Sequence, residues 1–251
     1  MTAVRTRRRR RWPIVLLVLA VLVAAGGLLA ETLARDRVSS VASTALADRL
    51  GVPENRVDVA LGPALVLPQL LSGRIDRVDV SASRLPVQGV TATFDGTLRG
   101  AALDGSAARS LTGTVTIPGS QLSVLAAQAD GPKVDRIRAD APNLVADATA
   151  SAFGVRVPVS VTLRPSAAAG AVVLTPTAVT VAGRTIDATA LRSAPLSGVA
   201  RTYLQPTRVC VADTLPSGLD LRSAKVVGPD LVLGLAGSDV ALGGADTGSC
   251  G

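Results

Sequence analysis

Acidic and basic side chains alternate in two short stretches of the chain, RIDRVDV and VDRIRAD. In the first, Asp76 and Asp79 could act together as a general acid and a general base. Asp135 and Asp140 could do the same in the second. In both stretches, however, the carboxylates stand among arginines and alternate with Val, Ile or Ala. This favours a solvent-facing charged edge of a strand over a catalytic pair.

The composition excludes most other catalytic and metal-binding chemistry. The chain has no histidine, which excludes Ser-His-Asp catalysis and His-ligated zinc. Its two cysteines are too few for a zinc ribbon or an iron–sulfur cluster. No glycine-rich stretch continues into the Gly-Lys-Ser/Thr of a phosphate loop. We therefore expect no enzyme activity, no catalytic residue, no metal site and no cofactor.

The positive charge is concentrated at the N-terminus. Lys and Arg total 26 against 19 Asp and Glu, a net charge of +7. Arg5 and Arg7–Arg11 account for six of these charges, so the rest of the chain is nearly neutral. Aromatic residues make up only 2% of the chain, too few for base stacking. We expect no nucleic-acid partner.

An uncharged apolar stretch, WPIVLLVLAVLVAAGGLLA, occupies residues 12–30. As a helix it would be roughly 28 Å long, close to the hydrocarbon thickness of a bilayer. Since arginines stay on the cytoplasmic side, residues 1–11 predict a cytoplasmic segment. Residues 12–30 are then a transmembrane signal-anchor in the cytoplasmic membrane, and the rest of the chain is extracytoplasmic, in the cell envelope. The alternative is a cleaved signal peptide and a secreted protein.

Residues 31–242 are predicted to form one domain of the α+β class, mostly β. Its first element is a helix from Glu31 to Leu50, which Gly51 and Pro53 end. One face of that helix is apolar and consists of Val38, Val41, Ala42, Ala45 and Leu46.

Beyond Pro53 the apolar period changes to two, and Gly, Pro, Asp and Asn separate Val- and Thr-rich runs. These runs predict antiparallel strands at Arg56–Leu61, Arg74–Ser81, Val90–Leu98, Ser110–Ile117, Val134–Ala141, Gly154–Leu163, Ala171–Val181, Arg184–Ala190, Thr207–Val211, Asp220–Val227 and Leu231–Ala236. One or two short extra helices are predicted at Ser120–Ala129 and Pro195–Leu204, and a Gly-rich tail at residues 243–251.

Cys210 and Cys250 are an even pair in a chain expected outside the cytoplasm. An oxidising compartment favours a disulfide between them. Closing a loop of about 40 residues stabilises a fold by roughly 4 kcal/mol in the chain-entropy model. The bond would hold the tail against the domain, and the alternative is two free thiols.

The segment LGPALVLPQLLSG, residues 61–73, is an apolar loop bounded by Gly and Pro. Contact with the core is one interpretation of so many aliphatic side chains in a loop. The other is the mouth of a cavity, or a loop that dips into a membrane.

Four stretches of the chain share their order and spacing with a known family. The first joins a short apolar segment, a Gln-Leu-Leu-x-Gly turn and a valine-rich strand. The second is a strand followed by Ser-Gln-Leu, the third a Leu-x-Pro hairpin and the fourth a closing hairpin. In order they are ALGPALVLPQLLSGRIDRVDVSAS (60–83), LTGTVTIPGSQLSVLAA (111–127), VVLTPTAVTVAGRTI (172–186) and LPSGLDLRSAKVVGPDLVLGLAGSDVAL (215–242). Over most of residues 12–242, the chain thereby resembles the LmeA-like phospholipid-binding family of actinobacterial cell-envelope proteins.

The resemblance implies a tubular lipid-binding fold, in which a curved antiparallel sheet packs around a long N-terminal helix and an apolar tunnel. It implies phospholipid and the cytoplasmic membrane as partners, with lipid held or transferred in envelope glycolipid biogenesis. An envelope glycosyltransferase is a further candidate partner. The alternative hypothesis is a non-catalytic, membrane-anchored scaffold that docks an envelope enzyme and carries no lipid.

Candidate lipid-binding residues follow from the phospholipid hypothesis. Those at the mouth are Leu65, Leu67, Leu70 and Leu71. Those expected deeper are Phe94, Leu122, Leu125 and Phe153. Arginines that could bind a head-group phosphate are Arg74, Arg77 and Arg84. For each apolar residue, ordinary core packing is the alternative.

Overall fold

The structure is a computed structural model that describes residues 12–87, 89–128, 134–152, 155–193, 204–241 and 247–250. Side chains are described from Ala30 onward, apart from those of a few further positions. The helices are α1 (Trp12–Leu50), α2 (Val66–Ser72), α3 (Leu122–Gln128) and α4 (Ala188–Ser193). The strands are β1 (Val57–Leu61), β2 (Arg74–Val87), β3 (Val90–Ala102), β4 (Ala107–Ile117), β5 (Arg136–Asp140), β6 (Asn143–Ala152), β7 (Val155–Ala168), β8 (Ala171–Val181), β9 (Arg184–Asp187), β10 (Thr207–Cys210), β11 (Leu219–Val227) and β12 (Asp230–Ala241).

The strands form two antiparallel sheets. The order in sheet one is β1-β2-β3-β4-β12-β11, and in sheet two it is β10-β8-β7-β6-β5, with β9 paired to β8. Side chains along strands such as β11 are alternately buried and exposed: Leu219 and Leu221 are buried, whereas Asp220 and Arg222 are exposed. This alternation gives sheet one an apolar inner face and a polar outer face.

Two hydrophobic clusters cover the inner face of sheet one. The larger cluster lies where the two sheets pack together, and it includes Leu111 and Leu233 of sheet one with Leu144 and Val172 of sheet two. The smaller cluster lies under the C-terminal end of α1 and consists of Ala47, Val52, Val57, Val59, Val80 and Ala82. The inner face of sheet one is therefore covered by α1 over one part and by sheet two over another part.

The C-terminal end of α1 is fixed by a Schellman motif. The Val52 N–H donates to the Ala47 carbonyl at 3.1 Å, and the Gly51 N–H donates to the Asp48 carbonyl at 3.3 Å. Gly51 adopts the left-handed φ of 64° that this motif needs and that glycine tolerates. The predicted end of the helix agrees with this geometry.

The packed face of α1 is narrower than the sequence pattern predicts. Ala42 and Leu46 pack against the smaller cluster. Val41 is 68% exposed and Ala45 is also exposed, so their assignment to the packed face was wrong. The helix lies along the edge of sheet one, beside β1, and such an edge contacts only a narrow stripe of a helix.

The predicted signal-anchor at residues 12–30 falls in the part of α1 whose side chains, before Ala30, lie outside the described part of the chain. The Arg-rich residues 1–11 also lie outside it. Among the residues whose side chains are described, from Ala30 onward, no helix has the length and apolar character needed to cross a membrane.

The predicted class is confirmed in its main features, because the described chain is mostly β, with antiparallel sheets and few helices. A sheet that wraps around a helix and a tunnel stays a prediction. The strand predicted at Arg184–Ala190 ends at Asp187, whose carboxylate accepts the Thr189 N–H of α4 at 2.8 Å. Most of the helix predicted at Pro195–Leu204 lies outside the described residues.

The predicted disulfide is confirmed between Cys210 of β10 and Cys250, whose Cα atoms are 5.9 Å apart. The alternative of two free thiols was wrong. The end of the tail also bonds to the domain, because the Gly248 N–H donates to the Leu215 carbonyl at 3.1 Å. The disulfide therefore joins the chain end to the edge of sheet two.

Candidate functional site: a leucine tip and an inner apolar seam

The apolar segment predicted as a loop contains the short helix α2, at one end of sheet one. Leu65 precedes α2, whereas Leu67 and Leu71 lie on it one turn apart. Leu103 lies in the β3–β4 turn, where its N–H donates to the Gly73 carbonyl at 3.1 Å. These leucines are 60%, 39%, 92% and 43% exposed, in chain order. We call Leu65, Leu67, Leu71 and Leu103 the leucine tip.

The opposite face of α2 attaches it to the domain. Val66 is 1% exposed and Gln69 is also buried. The Gln69 amide donates to the Leu65 carbonyl at 2.8 Å and accepts the Asp76 N–H at 2.7 Å. Gly73 ends the helix with a left-handed φ of 73°. Because these contacts occupy the inner face of α2, the leucines on its outer face are exposed to solvent.

Glu31 on α1 caps the start of α2. Its carboxylate accepts the N–H groups of Val66 and Leu67, the second at 3.2 Å. The Val66 bond is the largest cause that holds the pKa of Glu31 below 4.5; burial opposes it, and the Leu67 bond and Arg35 add to it. The ionised carboxylate therefore satisfies two N–H groups that the start of a helix leaves unpaired.

Arg35, one turn further along α1, binds the segment that leads into α2. Its guanidinium donates to the carbonyls of Leu61 at 3.1 Å, Gly62 at 2.6 Å and Ala64 at 3.0 Å. It also lies 3.5 Å from the Glu31 carboxylate. We call Glu31 and Arg35 the clamp, since together they fix the leucine tip to α1.

The three candidate head-group arginines lie apart from one another. Arg74 follows α2 directly, is exposed, and donates to the Gly100 carbonyl at 3.1 Å. Arg77 lies on the outer face of sheet one, bonded to Asp79 at 2.9 Å. Arg84 lies at a bulge in β2, toward the end that is remote from α2. Of the three, Arg74 is the one beside the leucine tip.

The outer face of sheet one carries a shallow, open concavity of about 550 Å³. Its lining mixes the polar residues Asp58, Asp79, Asp95 and Thr97 with the apolar residues Ala60, Val80 and Leu235. The hydrogen bond from Arg77, and then that from Thr97, hold the pKa of Asp79 below its ordinary value of 3.8. Among the described residues, no three His, Cys, Asp or Glu side chains are placed to hold a metal ion.

Half-buried apolar side chains connect the two clusters on the inner face of sheet one. Phe94 and Leu98 pack against both clusters, Val78 and Leu85 against the smaller one, and Val115 against the larger one. Val78 lies opposite Leu98, and Phe94 lies opposite Val115. Because all five keep partial exposure, neither α1 nor sheet two covers them completely. We call these five residues the inner seam.

Two glycines make room for the Phe94 ring in the inner seam. Gly96 and Gly113 are cross-strand partners on β3 and β4. A Cβ atom would lie 2.6 Å from the ring at Gly96 and 2.8 Å from it at Gly113. The ring therefore rests on bare backbone, and any larger residue at either position would displace it.

The remaining candidate lipid-binding residues differ in their burial and in whether the structure describes them. Leu70 is half-buried on α2. Leu122 is 3% exposed and belongs to the larger cluster, which agrees with the alternative of ordinary core packing. Phe153 and the side chain of Leu125 lie outside the described residues. The structure thus groups the four predicted mouth leucines with Arg74 and places Phe94 in the inner seam.

Sequence reasoning missed the clamp, Gln69 and Leu103. Glu31 and its partner Val66 are 35 residues apart, so no local pattern connects them. The one available signal was the position of Glu31, an acidic residue directly after the apolar stretch. Leu103 gave no signal beyond being an apolar residue in a turn.

Comparison with known proteins gives one match. The model of a family described as LmeA-like phospholipid-binding matches residues 29–236. That range contains the clamp, the leucine tip and the inner seam. No curated protein and no solved structure matches the chain.

Proposed function

The chain belongs to the LmeA-like phospholipid-binding family, and from this premise we propose a non-catalytic phospholipid-binding protein of the cell envelope. It holds or transfers lipid at the outer face of the cytoplasmic membrane, in the biogenesis of envelope lipids. Membership of the family is the observation that carries the proposal. The inner seam and the leucine tip are the surfaces that would serve it.

In this proposal the acyl chains lie along the inner seam. Phe94 and Leu98 leave apolar surface partly open between the two clusters. Each methylene removed from water contributes roughly 0.8 kcal/mol, so an acyl chain could bind here without a specific polar contact. Val78 and Leu98 lie toward the tip end of the strands, and this gives the seam a direction from the leucine tip inwards.

Arg74 is the residue proposed to bind the head-group phosphate. One of its N–H groups is used by the Gly100 carbonyl. A guanidinium has five N–H donors in a planar fork, so others remain for phosphate oxygens. Its place directly after α2 puts this charge beside the leucine tip.

The apolar stretch at residues 12–30 is proposed to anchor the domain. α1 runs from Trp12 to Leu50, so it joins this stretch to the folded domain as one helix. The arginines before Trp12 would keep the N-terminus in the cytoplasm and the domain outside. Lipid bound at the leucine tip would then exchange over a short distance with the bilayer.

The contacts of two acidic residues agree with a protein that binds lipid without catalysing a reaction. Glu31 bonds to backbone N–H groups and Asp79 bonds to Arg77, so both serve the fold. A chain without histidine also lacks the usual general base at neutral pH.

Photo-crosslinking in membranes tests the proposal. The full chain is reconstituted with a phospholipid that has a diazirine near the end of one acyl chain, then irradiated and mapped by peptide mass spectrometry. We expect label on β2, β3 and β4 at the inner seam. A matched phospholipid with the diazirine on its head group should instead label α2 and the region of Arg74. Label confined to residues 12–30 with both probes would contradict lipid binding and favour the scaffold.

A further inference from the structure

We propose that the leucine tip is a docking surface for the lipid bilayer, inserted at the boundary between head groups and acyl chains. This inference rests on the proposed function, which places the start of α1 in the cytoplasmic membrane. It adds which surface of the folded domain touches that membrane. The leucines are then contacts of the bilayer itself, in addition to any role at the entry to the inner seam.

The clamp sets the height of the tip above the membrane. Glu31 follows directly after the uncharged stretch at residues 12–30. Its carboxylate bonds the first N–H groups of α2, and Arg35 binds the segment before them. A helix rises 1.5 Å per residue, so both clamp residues lie within roughly 8 Å of the end of the apolar stretch. The tip is therefore fixed at the level where α1 would leave the hydrocarbon.

The register of sheet one defines the opposite end of the domain. Ala101 pairs with Ala108 at the end near the leucine tip. Ile117 pairs with Leu231 at the other end, next to the β11–β12 turn. Val227, the last residue of β11 before that turn, is 58% exposed, which makes it an apolar surface residue remote from the tip. Only the tip end of sheet one lies close to the proposed membrane.

The charges around the tip are mixed in sign. Arg35 and Arg74 stand beside Glu31, Asp76 and Asp104. Attraction to anionic lipids is therefore weak, and insertion of apolar side chains is the driving force. Docking should then be insensitive to salt and to the proportion of anionic lipid, whereas a polybasic surface would respond to both.

Fluorescence depth quenching tests the inference in the full chain. Trp12→Phe removes the only tryptophan, and Leu71→Trp or Val227→Trp then introduces one at the tip or at the remote turn. Each variant is reconstituted in phosphatidylcholine vesicles whose lipids are brominated near the head-group end or near the terminal end of the acyl chains. Leu71→Trp should emit at shorter wavelength than Val227→Trp. It should also be quenched several-fold more by the shallow bromines than by the deep ones.

Each other result overturns the inference. Water-exposed, unquenched emission from Leu71→Trp would mean that the tip does not touch the bilayer. Blue-shifted emission without quenching would mean that a second copy or another protein covers it. Leu67→Trp repeats the measurement, and circular dichroism establishes that the variants fold like the parent.

Native mass spectrometry of the same variants, released from a mild detergent, separates this inference from the proposed function, because it detects only phospholipid that stays bound to the chain. A folded chain with bound phospholipid but an unquenched tip would overturn docking alone. A quenched tip in a chain that never retains phospholipid would overturn the proposed function and leave docking supported.

Discussion

Glu31 stands where the N-terminal apolar stretch meets the folded domain, and it is the residue on which the position of the leucine tip depends. A carboxylate that accepts two N–H groups at a helix start stabilises that helix strongly in its ionised form. α2 has only seven residues and could not form alone in water. Its stability must therefore come from Glu31, Arg35 and the buried face of the helix.

We expect Glu31→Gln to lower the stability of the folded chain at neutral pH, by an amount that shrinks on acidification. Because its folded-state pKa is lowered, the Glu31 contribution is fully present above the ordinary value of 4.5 and is lost as the pH falls through the folded-state value. Urea midpoints of parent and variant, in one detergent at about pH 7 and about pH 3, measure the difference. Asp36→Asn, at an exposed position on the same helix, is the control. A difference that stays constant with pH would refute this role for Glu31.

At the scale of residues, the sequence predicted surfaces better than it predicted contacts. The apolar segment with Leu65, Leu67 and Leu71 was singled out because a run of aliphatic side chains between Gly and Pro is unusual, and these three leucines are exposed. Their assignment to the mouth of a cavity stays a prediction. The clamp was not identified, because its hydrogen bonds join backbone groups 26 to 36 residues away, and any polar residue on α1 was an equal candidate. The sequence also did not indicate which of the three candidate head-group arginines lies near α2, because this depends on the position of each arginine along β2.

Among the elements, β3 and β4 determine the shape of the inner face. Phe94 spans the two hydrophobic clusters because the glycine pair beneath it leaves space for a ring. Glycine normally weakens a strand, so a facing pair in the middle of a sheet is consistent with a close approach. Here the approaching group is the Phe94 ring, and Gly96 and Gly113 allow it to pack close to the backbone of the sheet.

Gly96→Ala should destabilise the chain by about 1–3 kcal/mol, because the new methyl group overpacks the Phe94 ring. The same substitution in a Phe94→Leu background should cost much less, because the ring is then absent. A double-mutant cycle from urea unfolding measures this coupling. Equal costs in both backgrounds would mean that Gly96 serves the backbone and not the ring.

The strand prediction succeeded in a run rich in Val and Thr and failed in a run rich in Ala. β8 has the predicted bounds, Ala171–Val181, in a run rich in Val and Thr. β6 was missed because NLVADATASA is rich in Ala, which has low strand propensity, and its neighbours in sheet two stabilise it instead. The leucine segment was predicted as a loop because one buried turn of helix is too short to show a period.

At the scale of the whole molecule, α1 and sheet two leave the inner seam partly uncovered in the part of the chain that the structure describes. The two clusters meet the inner face of sheet one at separate places, and the inner seam lies between them. The leucine tip lies at one end of the same sheet, next to the start of the folded domain. The proposed function, lipid binding by a membrane-anchored domain, needs these two features together: an apolar surface for acyl chains and a passage from the membrane to it.

Native mass spectrometry of the full chain, released from a mild detergent after purification from membranes, tests phospholipid binding most directly. The account predicts a population heavier than the bare chain by one phospholipid, whose head group and acyl chains are identified after collisional release. Diacylglycerol of the same chain length, which lacks the phosphate, should compete poorly. Detection of the bare chain alone, even with phospholipid added in excess to folded protein, would contradict the account.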